Sequence, residues 1–418
     1  MSLYSESKQL YFDFVYSDYF NKHSEFKYLL DLINQIDWSV IPEFNNPHVG
    51  RTGYSRHSLL KAMFVQKVKG FNTRELIHFL RSYPFFSQAI GFNPIANFVP
   101  SESTFSSFKK SFDTSLLDDI IASTVKRGIN EGIFDPNNLC IDSYPVSFRS
   151  FFNNKKSHGK FKYCNEYYNS PLDADFGVKP VSNSKPVYDK HGNQKQSISY
   201  LGYKVHTLSF LNVPVFSVVS PASHHDKNYA FPLLNKAKEL LNLTGFNFLA
   251  DAAYDSSDLY DFVHLESEST AFIPLRTSSK KPLVGDCGKP LSLHSHYRET
   301  KRNILRNKYV CDDPSNCPLN KYNCYAYRNF SKDDFRSFLN RDSSSFKKVY
   351  KKRTLIESIF SKLADMTNST SLRCKNSVEV ECNLSNLYLI ASAFLAHSMG
   401  RDDLLASPKT LMYETAVC

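Results

Sequence analysis

Apolar residues in the first third of the chain recur at the three- and four-residue spacing of amphipathic helices. This spacing predicts helices over 55–70 and 72–83, the second beginning at a cap on Asn72. A polar start followed by aromatic residues predicts another short helix over 100–112. Residues 1–135 are therefore predicted to form an all-helical N-terminal domain. Its basic residues suit a DNA-binding module or an ordinary small bundle.

From residue 138 the pattern changes to short apolar runs typical of strands. The order predicted is one strand ending at Asp142, two hairpin strands, a helix, a strand ending at Asp251, a helix and a last strand. Three early strands followed by helix–strand alternation indicate an α/β sheet of mixed direction. The predicted bounds are 138–142, 197–210, 213–220, 227–243, 246–251, 255–264 and 270–275.

The sheet pattern is interrupted near residue 276. Residues 276–345 show little periodicity and are rich in basic residues and cysteine. This indicates an insertion into the core, whose first part is residues 136–275. Helical spacing returns in 346–418, in the stretch "YKKRTLIESIF" and in an apolar run near 381–399. On a single helix, Tyr350, Arg353 and Glu357 would lie on one stripe, so these three polar residues need an explanation.

Composition narrows the class of protein. The chain has 418 residues, of which 42% are hydrophobic and 22% charged, as in globular proteins. Its net charge of +10 permits a polyanionic partner. Nine cysteines, an odd number, and a start without the features of a signal peptide indicate a reducing, cytoplasmic setting. No apolar stretch is long enough to predict a membrane span.

Three carboxylates carry the candidate chemistry. Asp142 and Asp251 each close a predicted strand, where open α/β sheets bind ligands, and Glu357 lies on a late helix. Isolated aspartates at strand ends also form turns or cap helices. As a set, three oxygen ligands are suited to two hard divalent cations, which clamp the attacking and leaving oxygens of a phosphoryl transfer.

The sequence resembles prokaryotic insertion-sequence transposases of the DDE type. The matching words are "IDSYPV", "GYKVHT", "SPASHHD", "LADAAYDS" and "YKKRTLIESIFSKL", and the N-terminal stretches "GYSRHSLLKAMFVQKVKGFNTRELIHFL" and "PSESTF" also match. The resemblance implies a ribonuclease-H-like mixed sheet flanked by helices, with an insertion before the helix of the last catalytic residue. It further implies that Asp142, Asp251 and Glu357 are catalytic ligands of two Mg²⁺ or Mn²⁺ ions.

The implied activity is cleavage at the ends of the protein's own element and joining of the 3′-hydroxyls to target DNA. The implied partners are terminal inverted repeats, target DNA and a second copy of the chain. Tyr350 and Arg353 match the family's Tyr-x2-Arg-x3-Glu signature, which places them on DNA; an Arg353–Glu357 salt bridge is the structural alternative. A metal-dependent nuclease without strand transfer and a non-catalytic DNA-binding descendant remain as alternatives.

Other basic residues are candidate DNA contacts. Lys204 and His206 alternate on one face of the strand predicted beside Asp142, where they would contact a phosphate or simply face solvent. Lys351 and Lys352 form a basic run next to Arg353. The insertion cysteines lack the close pairs of most zinc sites, so zinc ligands and reduced thiols both remain open. These cysteines are Cys287, Cys311, Cys317 and Cys324.

The sequence departs from the family pattern at two places. The extended signature has Lys seven residues after the glutamate, but this chain has Ala364, and Lys362 lies around the helix from Glu357. Some relatives use a tryptophan in the insertion to hold a flipped base, whereas the single tryptophan here is Trp38. These departures concern how the DNA end is held, so the strand-cleavage pathway stays open.

Overall fold

The N-terminal part of the chain forms helices at the positions that the spacing of its apolar residues predicts. The helix Arg56–Lys69 ends at Gly70, whose φ of 68° lies in the left-handed region that favours glycine. The helix Thr73–Ser82 begins with a capping box in which Asn72 and Glu75 each bond the other's backbone N–H. Both predictions are confirmed, because start and stop signals are local.

The computed structural model describes a part of the chain that includes most of its residues. No helix within it is long and apolar enough to cross a membrane. The described residues are 13–44, 53–93, 99–147, 173–181, 186–189, 191–276, 283–299, 304–311, 313, 315–316, 324–329, 335–338, 341, 343–367 and 374–417.

Helices α1 to α14 and strands β1 to β9 are numbered in chain order within the described residues. The helices are α1 (Asp13–Lys22), α2 (Ser24–Asn34), α3 (Arg56–Lys69), α4 (Thr73–Ser82), α5 (Pro84–Ala89), α6 (Glu102–Ser111), α7 (Ser115–Asn130), α8 (Ala230–Leu241), α9 (Ser257–Asp261), α10 (Phe335–Phe338), α11 (Ser344–Tyr350), α12 (Arg353–Thr367), α13 (Lys375–Ser398) and α14 (Pro408–Val417). The strands are β1 (Asn138–Ser147), β2 (Asp175–Pro180), β3 (Ser197–Ser209), β4 (Pro214–Pro221), β5 (Asn247–Leu249), β6 (Thr270–Phe272), β7 (Leu291–Glu299), β8 (Ile304–Cys311) and β9 (Tyr325–Asn329).

Residues 1–243 and 352–418 contribute one compact unit. Within it, β1, β2 and β4 each pair with β3 in the antiparallel direction, which confirms the predicted hairpin of β3 and β4. The buried helix α13 packs against β4 and also against α2, α3, α6 and α7. The N-terminal helices therefore share their core with a helix from the C-terminal part of the chain.

A buried ion cluster joins the N-terminal helices to α13. The carboxylate of Glu381 on α13 bonds the ammonium groups of Lys67 on α3 and Lys109 on α6, and all three side chains are less than one-tenth exposed. Burial by itself would raise the pKa of Glu381. The two ammonium groups outweigh burial and lower that pKa to about 2, so the carboxylate stays ionised at neutral pH.

Residues 244–351 contribute the second compact unit. Its strands β5 and β6 are parallel, and α11 packs on β6 through Phe346 and Phe272, whose ring centroids are 5.7 Å apart. A separate antiparallel sheet has the order β7–β8–β9, and Leu291, Cys311 and Cys324 are its buried core. The sequence did not predict this sheet, since its strands lack clear alternation. With antiparallel and parallel strands flanked by helices, the fold is mixed α/β, as predicted.

The predicted end of the first strand at Asp142 is wrong. β1 continues through Asp142 to Ser147, and this second half pairs with β3 as far as Gly202. The polar and proline residues after Asp142 resemble a strand end in the sequence, but the long β3 provides a pairing partner for them. Asp142 therefore lies in the middle of a strand, within a rigid ladder.

The hydroxyl group of Tyr144 is a buried polar contact between β1 and the helices. It donates to Cys382 Sγ at 3.7 Å and lies 3.2 Å from Thr367 Oγ1. Tyr144→Phe should lower the apparent free energy of urea unfolding by about 1 kcal/mol, because a buried hydrogen bond is lost. Tyr413→Phe is the matched control, since Tyr413 is 68% exposed. Equal stability of the two variants would contradict the expectation.

Candidate active site

One arginine joins two of the predicted metal ligands. Arg353 Nη2 lies 2.7 Å from Asp142 Oδ2, and Arg353 Nη1 lies 3.4 Å from Glu357 Oε1. Asp142 comes from β1, whereas Arg353 and Glu357 are one turn apart on α12, all within the first compact unit. The structure thus places two carboxylates around one cationic group: the Arg353–Glu357 contact is the salt bridge expected as the structural alternative, and the Arg353–Asp142 contact was not predicted.

The packing of α12 on β1 explains this arrangement. Side chains of a strand alternate between faces, so Asp142 and Tyr144 point to the same side of β1. The Tyr144 ring packs near Phe360 of α12, with 6.5 Å between ring centroids. Ile356 and Ile359 of the same helix are buried, while Glu357 stays exposed. The apolar face of α12 therefore fixes the helix, and its first turn presents Arg353 and Glu357 beside Asp142.

Asp251 lies in the second compact unit, two residues after β5, close to the predicted strand end. Its Oδ1 accepts a hydrogen bond of 2.8 Å from the N–H of Ala253 and caps the short turn that follows. The carboxylate thus performs the helix-capping role that was the structural alternative. A capping carboxylate keeps its second oxygen as a potential metal ligand.

The loop after Asp251 is held by Arg276 and by Asp255, which no sequence pattern had marked as functional residues. Arg276 donates to the carbonyl oxygens of Ala252 and Ala253 at 3.2 and 2.7 Å. The buried carboxylate of Asp255 forms two 2.7 Å bonds with Arg336 and accepts a further bond from Arg276 N–H. Burial opposes ionisation of Asp255, but Arg336 prevails and lowers its pKa. The only signal in the sequence was that Asp255 belongs to the word "LADAAYDS".

Tyr350 and Arg353 do not share one helix. α11 ends at Tyr350, and a turn at Lys351 and Lys352 separates it from α12. Tyr350 stacks on Phe346, with ring centroids 5.6 Å apart. The single stripe predicted from the spacing is therefore wrong. Lysine is a good helix former, so nothing in the local sequence marks this break.

The two lysines of the turn differ in exposure. Lys351 is exposed, as expected of a residue that contacts DNA, whereas Lys352 is partly buried and donates to Asn138 Oδ1 at 3.4 Å. Lys362, which lies near position 364 but was expected to be a poor substitute for the missing lysine, donates to the Ala406 carbonyl oxygen. Trp38 is buried and donates to the Ile33 carbonyl oxygen at 3.0 Å. The bonds of Lys362 and Trp38 are structural contacts within the fold.

Lys204 and His206 lie on the face of the sheet opposite Asp142. Asp142 is paired directly with Thr207, so these two side chains share a face. Lys204 is three positions before Thr207 and His206 is one position before it, and these odd offsets turn both side chains to the other side. The register therefore places both side chains away from Asp142, and their contact with DNA stays a prediction. Strand spacing correctly put them on one face, but only the register reveals which one.

His206 is moreover fully buried. Its Nε2 lies 2.8 Å from Ser220 Oγ, and its ring stacks on Tyr229 with 4.4 Å between centroids. Burial lowers the pKa of His206 to about 4, so the imidazole is neutral at physiological pH. Lys204 forms a 2.9 Å salt bridge with Asp226. The pair stabilises the connection between β4 and α8.

The residues around Arg353 fit a divalent cation in their chemistry. Asp142 and Glu357 already surround the positively charged guanidinium group of Arg353, which occupies the position that a metal cation would take. Hard oxygen ligands of this kind are those that Mg²⁺ and Mn²⁺ prefer. Within the ranges that the structure describes, no three His, Cys, Asp or Glu side chains are grouped to hold a metal ion. The structure thus brings two candidate ligands, Asp142 and Glu357, together around one cation.

Comparison with known families agrees with the geometry. A family model described as a transposase DDE domain matches residues 135–393, and one described as a transposase domain (DUF772) matches residues 16–111. No curated protein matches the chain significantly. The first match covers more than half of the chain and includes Asp142, Asp251 and Glu357. Members of this family act on DNA and generally depend on divalent metal ions. The chain belongs to the DDE transposase family of insertion sequences.

Proposed function

We propose that this protein cleaves DNA at the ends of its own insertion sequence and joins the freed 3′-hydroxyls to target DNA. The observation that supports this proposal is the pairing of Asp142 and Glu357 around one cation within a DDE transposase domain. Carboxylates that share a cation are the groups needed for metal-assisted phosphoryl transfer.

In this proposal Asp142, Asp251 and Glu357 hold two Mg²⁺ or Mn²⁺ ions. Bound there, the ions would lower the pKa of a water nucleophile and stabilise the oxygens that carry charge during phosphoryl transfer. Each carboxylate contributes negative charge and hard oxygen donors. β1 positions Asp142 within a hydrogen-bonded ladder, and the loop held by Arg276 positions Asp251.

Side chains near these ligands are proposed to bind the DNA backbone. Arg353 can donate two parallel hydrogen bonds to a phosphate and remains charged at any physiological pH. Lys351 adds a point charge from the turn before α12, and Lys352 and Tyr350 flank it. Such contacts hold the duplex in register without reading its sequence.

Recognition of the element ends is assigned to other parts of the chain. The N-terminal helices, matched by a transposase domain model, are proposed to bind the terminal inverted repeats. Two copies of the chain, one at each repeat, would form a homodimer on DNA. We place this reaction in the prokaryotic cytoplasm, where the chromosome and the element are found.

A strand-transfer assay tests the proposal. Purified protein would receive linear DNA with the element ends, a supercoiled target plasmid and Mg²⁺ or Mn²⁺. Cleavage at the ends followed by joined products on a gel is the expected result. Cleavage without joined products would instead identify a metal-dependent nuclease. Tight binding of the ends without cleavage would identify a non-catalytic descendant of a transposase.

A further inference from the structure

We propose that Arg353 is a latch that occupies the cation position between Asp142 and Glu357 until DNA draws it away. The inference rests on the proposed function, since it assumes that both carboxylates hold metal ions during catalysis. It adds that metal loading and DNA binding are coupled through one side chain. The metal-free chain would then bind divalent ions weakly, and DNA would increase that affinity.

The first argument comes from the two oxygens of Asp142. Oδ1 accepts a 2.8 Å hydrogen bond from the backbone N–H of Ser143, and Oδ2 accepts the 2.7 Å bond from Arg353. Ser143 pairs with His206 in the register of β1 and β3, so the sheet fixes the position of its backbone. The Oδ2 contact is made by a long side chain that can rotate. A metal ion that binds Oδ2 therefore competes with Arg353, whereas the bond from Ser143 stays in place.

The second argument is the difference between the two contacts of the guanidinium group. The Asp142 and Arg353 side chains are only 26% and 19% exposed, so their attraction is weakly screened. Glu357 is 63% exposed and lies 3.4 Å from Arg353, which makes this contact the weaker one. Asp142 therefore holds the arginine, while Glu357 is tethered loosely and can turn towards a metal ion.

The third argument is electrostatic. A guanidinium group and a divalent ion next to the same carboxylate repel each other, so both cannot occupy the position beside Asp142 Oδ2. A DNA phosphate offers Arg353 an equivalent bidentate partner. When the phosphate takes the arginine, Asp142 and Glu357 regain their full negative charge. By linkage, a bound metal ion must favour DNA binding by the same factor.

Mn²⁺ binding without DNA tests the latch independently of catalysis. Isothermal titration and the loss of the free Mn²⁺ electron paramagnetic resonance signal would measure affinity for the wild type and Arg353→Gln. The variant should bind Mn²⁺ about tenfold more tightly, within the usual range of coupling between two ligands. A duplex carrying the element end should increase Mn²⁺ affinity of the wild type and change that of Arg353→Gln much less.

Arg401→Gln is the matched control. Arg401 also bridges two carboxylates, those of Asp403 and Glu414, in the same compact unit. Its replacement should leave Mn²⁺ affinity unchanged. An increase equal to that of Arg353→Gln would show that any freed acidic pair binds Mn²⁺, and would overturn the latch. Circular dichroism of each variant verifies folding, and Arg353→Lys, which keeps the charge, should give an intermediate affinity.

Two further outcomes separate the latch from the proposed function. If Asp142→Asn loses Mn²⁺ binding but Arg353→Gln binds no more tightly than the wild type, the metal site stands and the latch is wrong. If Asp142→Asn binds Mn²⁺ as tightly as the wild type in the presence of DNA, the assigned metal site is wrong, and the latch falls with it.

Discussion

Glu357→Gln should reduce the rate of DNA cleavage by about a thousandfold or more and leave the fold intact. The substitution keeps the size of the side chain but removes the negative charge proposed to hold a metal ion, and with it stabilisation of the transition state. Glu357 is 63% exposed and makes only a 3.4 Å contact with Arg353, so little stability depends on it. Single-turnover cleavage of a labelled element end in excess protein would measure the rate.

Glu239→Gln is the control for this prediction. Glu239 is an exposed glutamate on α8 in the same compact unit, and its replacement should leave the cleavage rate unchanged. Mn²⁺ can partly rescue weakened metal sites, so both variants should be compared in Mg²⁺ and in Mn²⁺. Undiminished cleavage by Glu357→Gln in Mg²⁺ would show that Glu357 is not a metal ligand.

Glu381→Gln should have the largest effect on stability, a loss of about 3–5 kcal/mol, because it leaves the buried ammonium groups of Lys67 and Lys109 without their counter-charge. Urea unfolding followed by far-ultraviolet circular dichroism would measure the change. The control is Glu25→Gln, since Glu25 pairs with Lys69 at the surface and is 51% exposed. A surface pair of this kind contributes about 1 kcal/mol or less. Equal losses in the two variants would contradict a special role for the buried cluster.

The same cluster predicts an acid dependence of stability. The pKa of Glu381 falls from its ordinary value of 4.5 to about 2 in the folded chain. Because the folded pKa is depressed, the stabilisation is present in full above about pH 4.5 and is lost as the pH falls towards 2. Glu381→Gln should therefore show a smaller loss of unfolding free energy than the wild type over this interval. Parallel pH profiles of the two proteins would refute the assignment.

The prediction of helices from the sequence worked best where both ends carry local signals. Asn72 and Glu75 mark the start of α4, and Gly70 marks the end of α3, so these bounds depend on neighbouring residues alone. The alternation of β3 and β4 was equally readable as a hairpin. The family could be predicted from short sequence motifs that occur in the family's order along the chain, and the matches to the two transposase domain models confirm it.

The candidate site was predictable only in part. The sequence supplied Asp142, Asp251 and Glu357 as a set, but their role as metal ligands remains a prediction. It placed Tyr350 on the helix of Glu357, whereas the turn at Lys351 and Lys352 divides that helix. Helical periodicity continues across this turn, so the spacing of residues contains no information about the break.

The sequence by itself determined the family, the helical N-terminal part and the choice of three acidic residues as candidate ligands. It could do so because short motifs, helix-capping residues and periodicity are local properties of the chain. Only the tertiary structure decided which side chains meet. The β1–β3 register turned Lys204 and His206 away from Asp142, and the packing of α12 brought Arg353 onto it. Glu381 joins Lys67, more than three hundred residues earlier, by the same kind of long-range packing. Such contacts depend on register and burial, which no local pattern specifies.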